Sequence, residues 1–272
     1  MLIWLNNKIA KPLNGIERSF KRLRFALCLA VTAGLLLSAC ATVPGPANPK
    51  DPYQSTNRAI FKFNQTLDEL AVKPAAQAYR FITPQFVRTG IHHFFSNLND
   101  VTVIINDILQ GKASQGGRDA LRFTVNTTVG LLGFIDVATQ AGLEKHHEDF
   151  GLTLGHWGVS PGPYLVLPLL GPSTVRDTIG LAPDYEARYA LLFNNMSITH
   201  RDEAFVLETV SVREGFMDDE DLINDVALSS DHYNIIRDAW LQRRRNQIYD
   251  GNPPADPDDL TDDDPVPTSQ KR

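Results

Sequence analysis

The chain has 272 residues, with 26 Lys and Arg against 32 Asp and Glu, a net charge of −6 and only two cysteines. The acidic balance argues against a nucleic-acid partner, which needs a basic face. Two cysteines leave no room for a disulfide framework or a cysteine-based metal site.

The N-terminus reads as an export segment. Lys8, Lys11, Arg18, Lys21, Arg22 and Arg24 precede the apolar run Phe25–Leu37, which is the length of a signal-peptide core and short for a bilayer span. The run ends in Leu37-Ser38-Ala39-Cys40, a lipobox, so residues 1–39 are expected to be removed and Cys40 to carry a covalent lipid such as palmitate. Cleavage removes six cationic side chains and one anionic one, taking the net charge from −6 to −11, and it removes Cys28. No other cofactor is expected. Residue 41 is Ala rather than the Asp of inner-membrane retention, which favours the outer membrane, anchored in its periplasmic leaflet. Residues 40–50 then form a lipidated tether.

Residues 51–249 are long enough for one domain. Ile60, Phe63, Leu67 and Leu70 recur at helical spacing, with Ser55 or Thr56 placed to cap the start and Pro74 to end the helix. Pro84 can open the next helix, with Phe86, Val87, Ile91, Phe94 and Phe95 on its apolar stripe. The run 101–110 continues it to Gly111, although its β-branched residues favour a strand locally. Residues 115–130 repeat the pattern. Ser173 is expected to cap a short helix. Residues 232–249 form the clearest helix, with Ile235, Ile236, Ala239, Trp240 and Ile248 on its buried face. The class is all-α. The acidic Pro/Asp stretch 250–272 reads as a disordered tail.

Two groups invite chemistry. Gly158-Val159-Ser160-Pro161-Gly162 matches the G-x-S-x-G nucleophile elbow. The residue after the nucleophile must donate its N–H to the oxyanion, and Pro161 has none. A serine esterase is therefore a remote alternative. The stretch 144–149 (EKHHED) and His92-His93 lack metal-ligand spacing, and 144–149 reads as a solvated loop, with His156 a structural histidine.

From Gly151 to Val175 there is no Asp, Glu, Lys or Arg before Val175 ends the run. Buried core, a membrane-immersed surface, or the wall of an apolar ligand site would each explain an uncharged segment rich in Gly and Pro.

The motif EDFGLTLGHWGVSPGPYLVLPLLGPSTVRD (148–177) carries a resemblance, together with DPYQSTNRAIFKFNQTLD (51–68), residues 72–98 and RFTVNTTVGLLGFIDVA (122–138). In these stretches the chain resembles the MlaA/VacJ family of outer-membrane lipoproteins. The resemblance implies a single monotopic, ring-like helical domain with a central amphipathic channel and no enzymatic activity. It implies removal of mislocalised phospholipids from the outer leaflet, beside a trimeric porin. A soluble periplasmic lipid carrier and an inner-membrane ABC transporter complex would receive them. An envelope scaffold is the alternative. Candidate channel or membrane contacts are Phe61, Phe63 and Asn64, and the segment's Trp157, Tyr164, Leu165, Leu167, Leu169 and Leu170, with Trp157 and Tyr164 as interfacial anchors.

Overall fold

The computed structural model describes residues 51–193, 198–217 and 231–254. The export segment, Cys40, the tether and residues 255–272 of the expected tail lie outside the described residues.

Helix α1 spans Gln54–Leu67. Ser55 and Thr56 do not cap it. Tyr53 holds the N-cap position without a side-chain bond, and the end is anchored by buried Asp51, which accepts from the Asn57 amide at 2.8 Å. Pro74 does not end the helix either. A π-helical turn, Asp68–Val72, follows α1 and leads into α2, Lys73–Ile82. Pro74 falls in the first turn of α2, where its missing N–H is tolerated, and the wider turn before it carries the backbone through.

Helix α3 runs unbroken from Gln85 to Leu109, so the β-branched run joins the helix, and Gly111 closes it at φ 77°. Helix α4 is Ala113–Thr128 and α5 is Val137–Gln140, capped by Asp136. Helix α6, Phe150–His156, starts on the Asp149 carboxylate, which accepts from Leu152 N at 2.8 Å.

The uncharged segment then departs from the helical expectation. Strands β1 (Tyr164–Leu167) and β2 (Gly171–Thr174) form an antiparallel hairpin, with Tyr164 opposite Thr174 and Leu167 opposite Gly171. Helix α7, Val175–Phe193, follows directly. Its cap is Thr174, not Ser173: Thr174 Oγ1 accepts from Asp177 N at 3.2 Å and donates to the Asp177 carboxylate at 2.9 Å. Helices α8 (Ile198–Gly215) and α9 (His232–Ile248) complete the described chain. On α9 the buried side chains are Tyr233 and Arg237, while Ala239, assigned to the buried face by periodicity, is exposed.

These elements close a circuit. Helix α1 packs on β1, β2 on α7, α7 on α3, α3 on α8, and α8 on α2 and the π-helical turn that returns to α1. Helix α4 packs along α3, and α5 packs on α4.

The interior of this arrangement is inverted relative to a water-soluble domain. Among the described residues nine apolar side chains are buried, against nineteen polar or charged ones. Large apolar side chains point out instead: Phe81 is 91% exposed, Leu70 77%, Phe86 72% and Leu131 67%. No helix among the described residues is long and apolar enough to cross a membrane. Exposed apolar surface of this extent marks a face that meets a partner or a membrane.

Candidate functional site: an amphipathic cavity inside a helical ring

The ring encloses a cavity of about 1360 Å³, larger than an ordinary small-molecule pocket. Its wall comes from α1, the π-helical turn, α2, α3, α7, α8, α9 and the hairpin tip. Leu169, Leu170, Leu181 and Phe205 contribute apolar patches, and Asn99 and Thr102 contribute polar ones.

Charge on the wall is mostly held in pairs that join neighbouring elements. Arg213 of α8 grips Asp68 of the π-helical turn at 2.8 and 3.0 Å. Arg188 of α7 bonds Glu208 of α8. Arg244 of α9 bridges Asp149 at 2.5 and 2.9 Å and Asp177 at 2.8 Å, tying three elements together. Burial pushes the Arg244 guanidinium down, but the two carboxylates outweigh it and hold the group charged. Burial also raises Asp149, and Arg244 reverses that and keeps it below the usual carboxylate range. Asp184, next to Pro183 in α7, accepts from Phe150 N at 3.0 Å and from Asn106 at 3.1 Å; burial pushes it up to about 6.

The segment 144–149, which lines part of the cavity through His147, Glu148 and Asp149, is only partly solvated: Glu144 and His147 are exposed, and the other four residues are buried or half-buried. Glu148 is 7% exposed and accepts from Gln110 at 2.7 Å and Lys112 at 2.9 Å. Lys145 bonds Asp100, and His146 Nδ1 lies 2.9 Å from Asp119. Helices α3 and α4 present Asp100 and Asp119 inward, so Lys145 and His146 are drawn in to meet them, while Gln110 and Lys112 satisfy Glu148. Arg122 joins the cluster through Asp136 at 2.6 Å. His156, by contrast, is exposed rather than structural.

The sequence candidates divide. Asn64, Leu169 and Leu170 line the cavity. Leu169 is held at φ 68°, an uncommon conformation for a leucine. Asn64 also holds the hairpin tip, donating to Leu167 O and accepting from Leu169 N, both at 2.9 Å. Phe61 faces Tyr233 edge-on at 5.6 Å and belongs to the small core of Tyr164, Val166 and Tyr233. Phe63 is 53% exposed and does not line the cavity. Tyr164 is 1% exposed and packs on Trp240 at 6.0 Å, so it is a core residue and not an interfacial anchor. Strand alternation sets Leu165 and Leu167 on the half-buried face opposite it. Trp157 is 53% exposed, with its indole N–H on Leu109 O at 3.1 Å.

The G-x-S-x-G match carries no hydrolase geometry. Ser160 is exposed in a loop that follows a helix and precedes a strand, the reverse of a nucleophile elbow. Among the described residues no histidine or carboxylate bonds its hydroxyl. The loop's carbonyls serve structure: Pro161 O accepts from Arg176 N at 3.1 Å and Pro163 O from Val175 N at 3.3 Å.

Sequence reading missed the polar stripe of α3. Asn99, Thr102, Asn106 and Gln110 recur at helical spacing, the signal of one polar face, but the pattern alone does not say that this face points inward.

Known proteins share this architecture. Residues 49–247 match the family described as MlaA lipoprotein. The "intermembrane phospholipid transport system lipoprotein MlaA" of Escherichia coli K12 is 36% identical over 220 residues, covering 79% of this chain and 85% of that protein. The protein of the same description from Haemophilus influenzae is 26% identical over 240 residues, covering 86% and 94%. A solved structure described as the "structural basis for maintenance of bacterial outer membrane lipid asymmetry" superposes with a TM-score of 0.62 at 34% identity, covering 74% of this chain and 99% of that one. A match that runs the length of the helical ring, made in sequence and in structure alike, places this chain in the MlaA lipoprotein family.

Proposed function

We propose that this chain is an outer-membrane lipoprotein of the intermembrane phospholipid transport system, which removes phospholipids misplaced in the outer leaflet and so maintains lipid asymmetry. One observation carries the reading: a closed ring of elements, with large apolar side chains outside, around an amphipathic cavity of about 1360 Å³ whose wall sets polar and charged groups among apolar ones. A phospholipid leaving the outer leaflet must take its charged headgroup past hydrocarbon, which is costly without a polar path. The cavity offers that path, and the apolar exterior keeps inner-leaflet lipids outside it.

The lipid on Cys40 holds the ring in the periplasmic leaflet. A trimeric porin provides the opening to the outer leaflet, and a soluble periplasmic carrier takes the lipid on to an inner-membrane ABC transporter complex. No bond is made or broken in the ring.

The test is a deletion strain. Phospholipid accessible to a surface-added phospholipase should rise, detergent sensitivity should rise with it, and the intact gene should restore both. Normal asymmetry in the deletion strain with porins intact overturns the reading and leaves an envelope scaffold. Palmitate labelling lost on Cys40→Ala tests the anchor, and photocrosslinking from exposed positions such as Phe81 tests the porin.

A further inference from the structure

Most charged groups on the cavity wall are already engaged by a protein partner, and among the described residues Glu186 of α7 is the one carboxylate there that is not. Arg213 is held by Asp68, Arg188 by Glu208, and Arg244 by Asp149 and Asp177. Arg243 differs. It lines the same cavity, its side chain is exposed, and it makes no ion pair with any described residue. Two elements converge there. Trp240, Arg243, Arg244 and Gln247 sit three, four and seven residues apart on α9 and share one face toward the cavity. His147 reaches the cavity from the segment before α6. Burial, then the cations Lys145 and Arg243, lower the His147 pKa, so its ring is neutral and lies within the field of Arg243.

A lone guanidinium kept free of carboxylates on a wall where the other arginines are paired is a site for an anion. Its planar fork matches two phosphate oxygens, the Gln247 amide can add a donor, and the Trp240 face offers apolar surface beside them. We propose that Arg243, with Gln247 and His147, recognises the phosphodiester of a phospholipid headgroup inside the ring. This rests on the reading that the cavity carries phospholipid, and it names the group that reads the headgroup.

The test uses the full lipidated chain in detergent, with bound lipid counted by native mass spectrometry. The probes are phosphatidylglycerol, phosphatidylethanolamine and a diacylglycerol with the same acyl chains. Wild type should retain both phospholipids over diacylglycerol. Arg243→Gln should weaken phospholipid retention about tenfold and leave diacylglycerol unchanged, as expected for loss of a charge-assisted contact. Arg243→Lys should recover part of the loss. The Gln variant has no protein partner to lose, so its melting temperature should match wild type, which separates recognition from folding.

Phospholipid retention unchanged by Arg243→Gln overturns the assignment while the transport reading stands. Equal retention of phospholipid and diacylglycerol, with inorganic phosphate binding at Arg243, assigns the site to a free anion and also overturns it. Wild type that retains no lipid of any kind counts against the transport reading itself.

Discussion

Asn57 and Asn64, two helical turns apart on α1, perform the same task on one strand. Asn57 donates to Tyr164 O at 3.0 Å and accepts from Val166 N at 2.9 Å, and Asn64 does the same to Leu167 O and Leu169 N. The free edge of β1 is thereby satisfied by side-chain amides instead of a third strand, which also removes it as a site for strand pairing. Asn57→Ala leaves a buried carbonyl and N–H unpaired and should cost about 3 kcal/mol in urea unfolding. Asn64→Ala, at a more open position, should cost about 1 kcal/mol and speed amide exchange at Leu169.

Arg244 joins α9 to the start of α6 and to α7, and its side chain is only 12% exposed. Arg244→Gln strands two carboxylates and should destabilise by about 3 kcal/mol. Arg244→Lys keeps the charge but loses the fork that spans both acids, and should recover only part of the loss. Urea titration in detergent micelles measures both.

Asp107 of α3 and Asp119 of α4 are both fully buried, and the charge of Asp119 acts on Asp107. Asp107 Oδ2 has no hydrogen-bond partner among the described residues. Burial first, then Asp119, raises Asp107 to about 7. An unfolded aspartate titrates near about 3.9, so between these values the folded state binds the extra proton. Stability therefore falls as pH rises through this window and is lowest above it. Asp107→Asn should flatten this slope and raise the melting temperature at pH 8, measured by thermal melts across the series.

Helices α6 and α7 touch backbone to backbone at Gly151 and Gly180. A Cβ on Gly180 would lie 2.5 Å from Gly151 N, and one on Gly151 would lie 2.4 Å from Asp177 Oδ1. Gly180→Ala should force the helices apart at a cost of about 2 kcal/mol and loosen the Arg244 bridge. Ala at Gly117, where nothing lies within 4 Å, should be neutral or stabilising, and the pair read side by side checks the packing explanation.

The helices were legible because their apolar spacing is regular, as in Ile60, Phe63 and Leu67 or the long run from Phe86 to Ile108. The hairpin was not. Tyr164–Leu167 and Gly171–Thr174 are short and flanked by prolines, and the partner that completes β1 is a pair of amides more than 100 residues earlier. EKHHED was partly misread because charge in a sequence signals solvent by default, and only the assembled ring shows that Lys145, His146 and Glu148 find partners in the interior. The cavity's Asn64, Leu169 and Leu170 were within reach of motif reading. Arg243 and Arg244 were not legible, since spacing does not tell a paired arginine from a free one.

A clasp joins the two ends of the described domain. Tyr233 Oη donates to Asp51 Oδ2 at 2.5 Å, and Arg237 stands 3.5 Å from the same oxygen, across 182 and 186 residues of chain. This clasp spans nearly the whole described chain and so carries a large loop-closure entropy. A chain that has emerged only as far as α8 holds every element of the circuit but lacks the face of α9 that brings Trp240, Arg243, Arg244 and Gln247 to the cavity. The wall is therefore completed late, as the last helix docks on Asp51, so an incomplete chain lacks the basic side of its lumen.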